Sequence, residues 1–415
     1  MGIAPNLVRE KFLKEYEEWC KTDKEPALSS KDMRYFLDCN EKRLKEKGIR
    51  VTEEYAVVEE DITGDLDRSH GDYVATVSYR ECRHNTEYFR GDKSIKKISQ
   101  PETVYVNVLD KFGYEDFECT CPNCGHKTMA SELSGGCPYC GTMFEIAQTY
   151  PCVQSIYSVQ GIMDRVEFPR KIKKRTITFG IICGIILFLL TFFTSASEYV
   201  IWFRILYSLF LGGFCGAVFA FIFYMATSYV LLVRALRLAG KSLKLLGGIN
   251  TRKKLLKAME QVDPGFSFEL FEGKILGKLR AIAFSEKRDD LSIYSGDEDL
   301  SYLDDIIKMS YRGAIQLKRF RNEGGYSKIK LRAFMTDTYA RGDKGDKIKL
   351  KDETFEVECE RKSEGIFDLG FTVHAVKCRS CQGSFDAMHR KACPYCGKEY
   401  DLAEDDWVIS SIVRV

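Results

Sequence analysis

Two stretches, TITFGIICGIILFLLTFFT at 176–194 and ILYSLFLGGFCGAVFAFIFYMATSYVLLV at 205–233, contain no charged residue. An α-helix needs about 20 apolar residues to cross a bilayer core roughly 30 Å thick. The first stretch meets that length, and the second leaves residues for tilt. Neither keeps the polar stripe that a core helix of a soluble protein turns toward water. The sequence therefore predicts two transmembrane helices joined as a tight hairpin. Gly180 and Gly184 in the first, and Gly212 and Gly216 in the second, repeat a four-residue spacing. Small residues of that kind let helix backbones approach closely in lipid, where apolar burial gives no net drive.

Basic residues set the orientation. Arg165, Arg170, Lys171, Lys173, Lys174 and Arg175 precede the first span; Arg234, Arg237, Lys241 and Lys244 follow the second. The connector at 195–204 holds only Arg204 against Glu198, with Tyr199, Trp202 and Phe203 suited to an interface belt. The positive-inside rule then places both termini in the cytoplasm of an integral membrane protein, expected in a bacterial plasma membrane. Lys171, Lys173, Lys174, Arg175, Arg234, Arg237 and Lys241 form the expected membrane-surface set, facing anionic lipid headgroups. Residues 8–20 (VREKFLKEYEEWC) are charged and amphipathic, so insertion is expected to use the internal hairpin rather than a leader. The net charge of +2 argues against a surface directed at nucleic acid.

Sixteen cysteines in a chain facing a reducing compartment point to metal rather than disulfides. Cys121-Pro-Asn-Cys124-Gly precedes Cys137-Pro-Tyr-Cys140-Gly by a twelve-residue spacer, and Cys378-Arg-Ser-Cys381 precedes Cys393-Pro-Tyr-Cys396-Gly by an eleven-residue one. A Cys-x2-Cys turn aims two thiolates at one ion, and a second turn completes a tetrahedron. Two zinc ribbons are predicted, with two structural ions and no open coordination position; iron of rubredoxin type fits the same spacing. Cys119 reads as a bystander at a strand end.

The ribbons mark a repeat. From Cys140 the chain reads CGTMFEIAQTYPCVQSIYSV, and from Cys396 CGKEYDLAEDDWVISSIVRV; Phe144, Ile146, Ala147, Ser155, Ile156 and Val159 align without a gap on Tyr400, Leu402, Ala403, Ser411, Ile412 and Val415. An internal duplication is expected, each copy carrying its ribbon in its last β-hairpin. About 175 residues before the hairpin and about 180 after it give each copy enough chain for its own core. The expected domains are 1–160 with ribbon 119–144, a basic linker at 161–175, the hairpin, a basic juxtamembrane linker at 234–262, and 263–415 with ribbon 376–400. Periodicity predicts helices at 7–21, 30–47, 266–284 and 299–319. Strands are expected at 55–62, 72–80, 104–109, 327–340, 347–360, 367–376 and 407–415, with a turn at 341–346. The basic amphipathic run 234–246 suits either an anionic leaflet or a continuation of the second membrane helix.

The stretch DPGFSFELFEGKILGKLRAIAFSEKRDDLSIY from Asp263, with Phe266, Phe271, Ala283-Phe284, Asp290 and Leu291, and the closing Asp406-Trp407-Val408-Ile409, resembles the domain of the mitochondrial import inner-membrane translocase subunit 44 family. The resemblance covers roughly 262–415, departing at Phe284, where that family usually has Trp. It implies an α+β fold of the cystatin-like, nuclear transport factor 2-like cone type, here twice, each with an inserted ribbon, flanking the hairpin.

Catalytic spacing is absent from the sequence: His70, His84, His126, His374 and His389 form neither His-x3-His nor His-Glu-x2-His. Phe266, Phe268, Phe271, Ile275 and Leu279 form an apolar stripe that reads as core. The expected function is a membrane-anchored, non-enzymatic scaffold presenting ribbon-stabilised domains to protein partners in transport or assembly, or to lipid. The alternative is a cone that binds lipid or a small molecule, or acts as an enzyme.

Overall fold

The computed structural model describes residues 4–57, 63–121, 123–133, 137–142, 148–160, 167–194, 201–259, 262–263, 266–341, 347–363 and 368–415. It divides into two bodies, one made of Met1–Gly161 with Leu245–Val415, the other of Ile162–Lys244. The expected connector at 195–200, the turn at 342–346, and Phe144, Ile146 and Ala147 of the repeat lie outside the described residues.

In the larger body α1 (Pro5–Thr22) starts on a proline whose fixed φ suits a first helical turn, and buries Val8, Phe12, Leu13, Tyr16 and Trp19 along one face. Ser30 caps α2 (Lys31–Glu46), its Oγ accepting the Met33 N–H at 3.2 Å. Then follow β1 (Arg50–Val57), β2 (Thr63–His70), β3 (Tyr73–Arg90) and β4 (Lys93–Lys111). A short hairpin of β5 (Glu118–Thr120) and β6 (Lys127–Met129), with the turn of helix α3 (Ala130–Leu133), leads to β7 (Cys152–Gln160). These strands run in the order β1-β3-β4-β7, with β2 also on β3.

The smaller body holds α4 (Glu167–Thr194) and most of α5 (Ile201–Met259). Among the described residues, Arg175–Thr194 and Ile201–Thr227 are long and apolar enough to cross a membrane. Their apolar side chains point outward: Ile181, Ile185, Leu206 and Phe210 are all exposed. The four glycines meet where the helices touch. A Cβ on Gly180 would lie 2.7 Å from Ala220 Cβ, one on Gly184 3.2 Å from the Gly212 carbonyl, and one on Gly216 2.9 Å from the Gly180 carbonyl. Helix α5 continues through 234–259, so the expected juxtamembrane linker is helical and the continuation is the arrangement seen. Trp202, Phe203 and Arg204, expected in the connector, already belong to α5.

After α5 come α6 (Phe268–Phe284), β8 (Ile306–Glu323), β9 (Tyr326–Arg341), β10 (Lys347–Lys362), the small hairpin β11 (Val376–Lys377) and β12 (Ser384–Phe385), and β13 (Val408–Arg414). The helix expected at 299–319 is absent. A single 3-10 turn at Ser301–Leu303 precedes β8, where Ile307, Met309 and Tyr311 are buried and alternate with half-buried Lys308, Ser310 and Arg312. That period of two wins over a coincidental helical match, and Gly313, at φ +77°, would break a helix in any case. Among the described residues, 368–375 form no strand, and of the strand expected at 367–376 only Val376 pairs, in β11. A turn and the short helix Val373–Ala375 stand there, and Leu369 and Val373 are apolar because they anchor the chain in the core.

The second sheet, β8-β9-β10-β13, repeats the plan of the first. In both, the last pairing carries a bulge at one matching place, between Asn107 and Val108 and between Glu358 and Cys359. Beyond it Asn107 faces Ser155 and Glu358 faces Ser411, the residues that the ungapped alignment matches. The edge repeats too: Val57 and Thr63 pair with Cys82 and Arg80, while Tyr311 and Ile315 pair with Met335 and Ala333. One residue of the neighbouring strand, Glu81 or Phe334, is passed over each time.

The halves do not keep separate cores. Phe12, Leu37, Val106 and Ile156 of the first half join Phe271, Leu279, Phe284, Leu331 and Trp407 of the second in one apolar cluster. Helix α6 holds them together. Gly273 stands so close to the first sheet that a Cβ there would overlap Asn107 Nδ2 and Ser155 Oγ. At its far end, Arg43 of α2 donates to the carbonyls of Ala283 at 3.3 Å and Asp304 at 2.9 Å, satisfying acceptors that a helix terminus leaves open.

Candidate metal centres and a buried charge cluster

Each ribbon is built from paired turns. Cys121 N–H donates to the His126 carbonyl at 2.8 Å and Gly125 N–H to the Cys121 carbonyl at 2.9 Å; Cys137 and Gly141 repeat this with Thr142. In the second ribbon Cys378 with Gly383, and Cys393 with Lys398, close the same turns. Each turn needs a left-handed residue, supplied by Gly125, Gly141 and Gly397 at φ +70° to +72° and by Gln382 at φ +61°.

These turns bring Cys121, Cys124, Cys137 and Cys140 together, and likewise Cys378, Cys381, Cys393 and Cys396, with all Sγ atoms of a set within 4.8 Å of one another. Cys121–Cys140 and Cys124–Cys137 are 3.7 Å apart, Cys378–Cys396 and Cys381–Cys393 3.6 Å. A tetrahedron with metal–sulfur bonds of about 2.3 Å has edges of about 3.8 Å, so the donors fit one ion per set. The electrostatics are uneven within each set: backbone N–H groups pull Cys124 and Cys381 down, but burial and the neighbouring thiols outweigh them and leave both raised to about 12. The Thr142 hydroxyl and N–H hold Cys140 down to about 6, and N–H groups of Cys381 and Ser380 hold Cys378 down to about 6. Cys119 packs beside Cys121, Leu133 and Cys137 without joining the set. At both tips the tyrosine of Cys-Pro-Tyr-Cys is exposed, Tyr139 to 78% and Tyr395 to 68%. His126 stacks on Tyr139 at 5.6 Å and is exposed, as is His389.

A second cluster has no signal in sequence spacing. His84 lies between two carboxylates, Nδ1 2.7 Å from Glu102 Oε2 and Nε2 3.0 Å from Glu53 Oε2. Tyr55 stacks on the imidazole at 4.4 Å and donates to Glu53 at 2.9 Å. Lys308, from the other half, donates to Glu53 Oε1 at 2.6 Å and to Thr86 at 3.3 Å. Burial and Lys308 push His84 down, but its bonds to Glu102 and Glu53 outweigh them and its pKa is raised. Burial would raise both carboxyls, yet Lys308 and His84 hold Glu53 well below the usual range, and His84 lowers Glu102. Glu53, His84, Glu102 and Lys308 stand on four strands, which is why no local motif betrays them. Only the alternation of Glu53 with Tyr55 and of His84 with Thr86, which sets each pair on one strand face, was available beforehand.

The second half carries a variant of this cluster. Cys82 pairs with Glu102 and Met335 with Glu353, so Asp337 occupies the position of His84. Burial and a bond to Glu353 push the Asp337 carboxyl up to about 9. Asp406, ahead of Trp407, is clamped by Lys274 and Lys278, each at 2.9 Å. Of the expected membrane-surface residues, Arg175 is exposed; Lys171, Lys173 and Lys174 lie on α4 and Arg234, Arg237 and Lys241 on α5, with side chains outside the described set. Set against protein-family models, curated proteins and solved structures, the chain matches none.

Proposed function

We propose that the chain is a membrane-anchored, non-enzymatic binding protein whose two zinc ribbons present matching tips to protein partners at the cytoplasmic face of a bacterial plasma membrane. The observation that carries this reading is the paired exposure of Tyr139 and Tyr395 at equivalent ribbon positions. Exposed aromatics on rigid turns are favoured anchors for partners. Zinc is the preferred ion because four thiolates in a closed tetrahedron suit a redox-silent structural metal. The basic residues flanking the two apolar helices supply the orientation, and the resemblance to the translocase subunit 44 domain supports a role in transport or assembly.

The test is partner recovery from detergent extracts with wild type and the Tyr139→Ala/Tyr395→Ala double variant. At least a tenfold loss is expected, with two zinc ions per chain retained in both. Equal recovery, or turnover of a substrate by the purified chain, counts against the reading. A cavity of about 90 Å³ beneath α6 favours a small-molecule role as the second reading, since Phe266, Phe271 and Trp407 line it together with Lys274, Lys278 and buried Asn107, whose Oδ1 has no partner.

A further inference from the structure

The His84 cluster borders a cavity of about 50 Å³ that its own hydrogen bonds leave unfilled. A site for one water needs about 10–15 Å³, so the space takes several waters or one small molecule. It adjoins a larger recess of about 220 Å³, sharing Tyr16, Asn40, Glu53 and Lys308 with it; exposed Lys45 and Arg50 line that outer recess. The cavity therefore lies next to a recess lined by solvent-exposed side chains.

Arg280 of α6 decides what belongs there. It lines the cavity and is 9% exposed, and its one hydrogen bond among the described residues runs from Nη1 to the Ile156 carbonyl at 2.7 Å. Its Nε has no partner, and among the described residues no carboxylate lies within ion-pair reach. A guanidinium cannot shed its proton, so a buried and unpaired one is unfavourable until an anion joins it. The neighbouring charges do not supply that anion. Glu53 is engaged by Lys308 and His84, and Glu102 by His84. Asp337 is held as the neutral acid beside Glu353, which has Lys351 and Arg414 as partners. Lys308 and His84 thus have carboxylate partners here, whereas Arg280 has none among the described residues.

We propose that this cavity binds a small monocarboxylate, with its carboxylate on Arg280 and Lys308. One negative charge matches the single guanidinium that lacks a carboxylate partner. A guanidinium takes a carboxylate through parallel N–H bonds, and Phe36, Ile156, Phe284 and Met309 offer apolar walls for a short alkyl group. Inorganic phosphate, partly dianionic at neutral pH, would press extra charge against Glu53 and Glu102, and chloride would leave the apolar walls uncovered. This site is separate from the ribbon tips and does not depend on the partner-binding reading.

The experiment is calorimetric titration of the full chain in detergent at pH 7 and constant ionic strength, with acetate, propionate, chloride and phosphate in turn. Saturable binding of propionate and acetate is expected, at least tenfold tighter than of chloride or phosphate. Arg280→Met, which removes the charge at similar bulk, is expected to weaken carboxylate binding at least tenfold. Undiminished binding by a folded Arg280→Met places the anion elsewhere and overturns the proposal. So does tighter binding of chloride or phosphate, or no saturable binding of either carboxylate, the cavity then holding water only. Should Arg280→Met not fold, wild type decides by itself: broadening of a 13C-acetate signal must be relieved by propionate and not by chloride.

Discussion

At the level of single residues, the two copies differ where their physical demands differ. Three of the four ribbon turns satisfy a left-handed φ with glycine, and the fourth uses Gln382. A side chain in that region is disfavoured by roughly 1 kcal/mol, so Gln382→Gly is expected to stabilise the metal-loaded protein by about 0.5–1 kcal/mol, read as a higher thermal midpoint. Asp337 offers a sharper test. Its carboxyl rises from 3.8 to about 9 on folding, through burial and then Glu353. The folded state therefore binds one more proton than the unfolded chain between those values, and stability falls as pH rises through that window. Asp337→Asn removes the dependence. It is expected to stabilise by on the order of 4 kcal/mol at pH 7 and hardly at all at pH 4, because each pH unit above the unfolded pKa is worth about 1.4 kcal/mol. Thermal melts of wild type and variant at the two pH values check the sign.

At the level of elements, α6 is the piece that turns two sheets into one body, and its two glycines answer to opposite forces. Gly273 abuts Asn107 and Ser155, whereas a Cβ on Gly277 would meet nothing within 4 Å. Gly273→Ala is expected to destabilise by about 1–3 kcal/mol through overpacking. Gly277→Ala is expected to stabilise by roughly 1 kcal/mol through helix propensity alone. Denaturation of the two variants side by side gives the comparison, and equal effects of one sign would refute the placement of α6. Helices α1, α2 and α6 were legible to within two residues at each end from apolar periodicity alone, without the local signals that fix their starts, Pro5 and the serine caps Ser30 and Ser267. Strand β8 was misread as helix because Leu303, Ile306, Ile307 and Tyr311 also satisfy a helical spacing, and only pairing with β9 decides between the two periods.

At the level of the whole molecule, the ribbons are not equivalent. Cys121, Leu133 and Cys137 form a small cluster of their own, whereas Val376, Cys378, Phe385, Ala387 and Cys393 belong to the main core. Losing the first ion should therefore loosen a local unit, while losing the second should weaken the body. Cys121→Ser and Cys393→Ser are each expected to release one of two ions by metal analysis. The first is expected to leave the main thermal midpoint within about 2 °C, and the second to lower it by roughly 5 °C or more. Matching shifts would mean that the second ribbon is no better tied to the core than the first. The sequence by itself determined the two four-cysteine sets, the two long apolar helices and the match of Ser155 with Ser411, because these are local in spacing or repeated along the chain. The tertiary structure alone decided that both halves share one core through α6, and that Glu53, His84, Arg280 and Lys308 meet around one cavity. Those residues come from separate strands and a helix, and their charges, unremarkable one by one, become a site only when burial forces them to be paired.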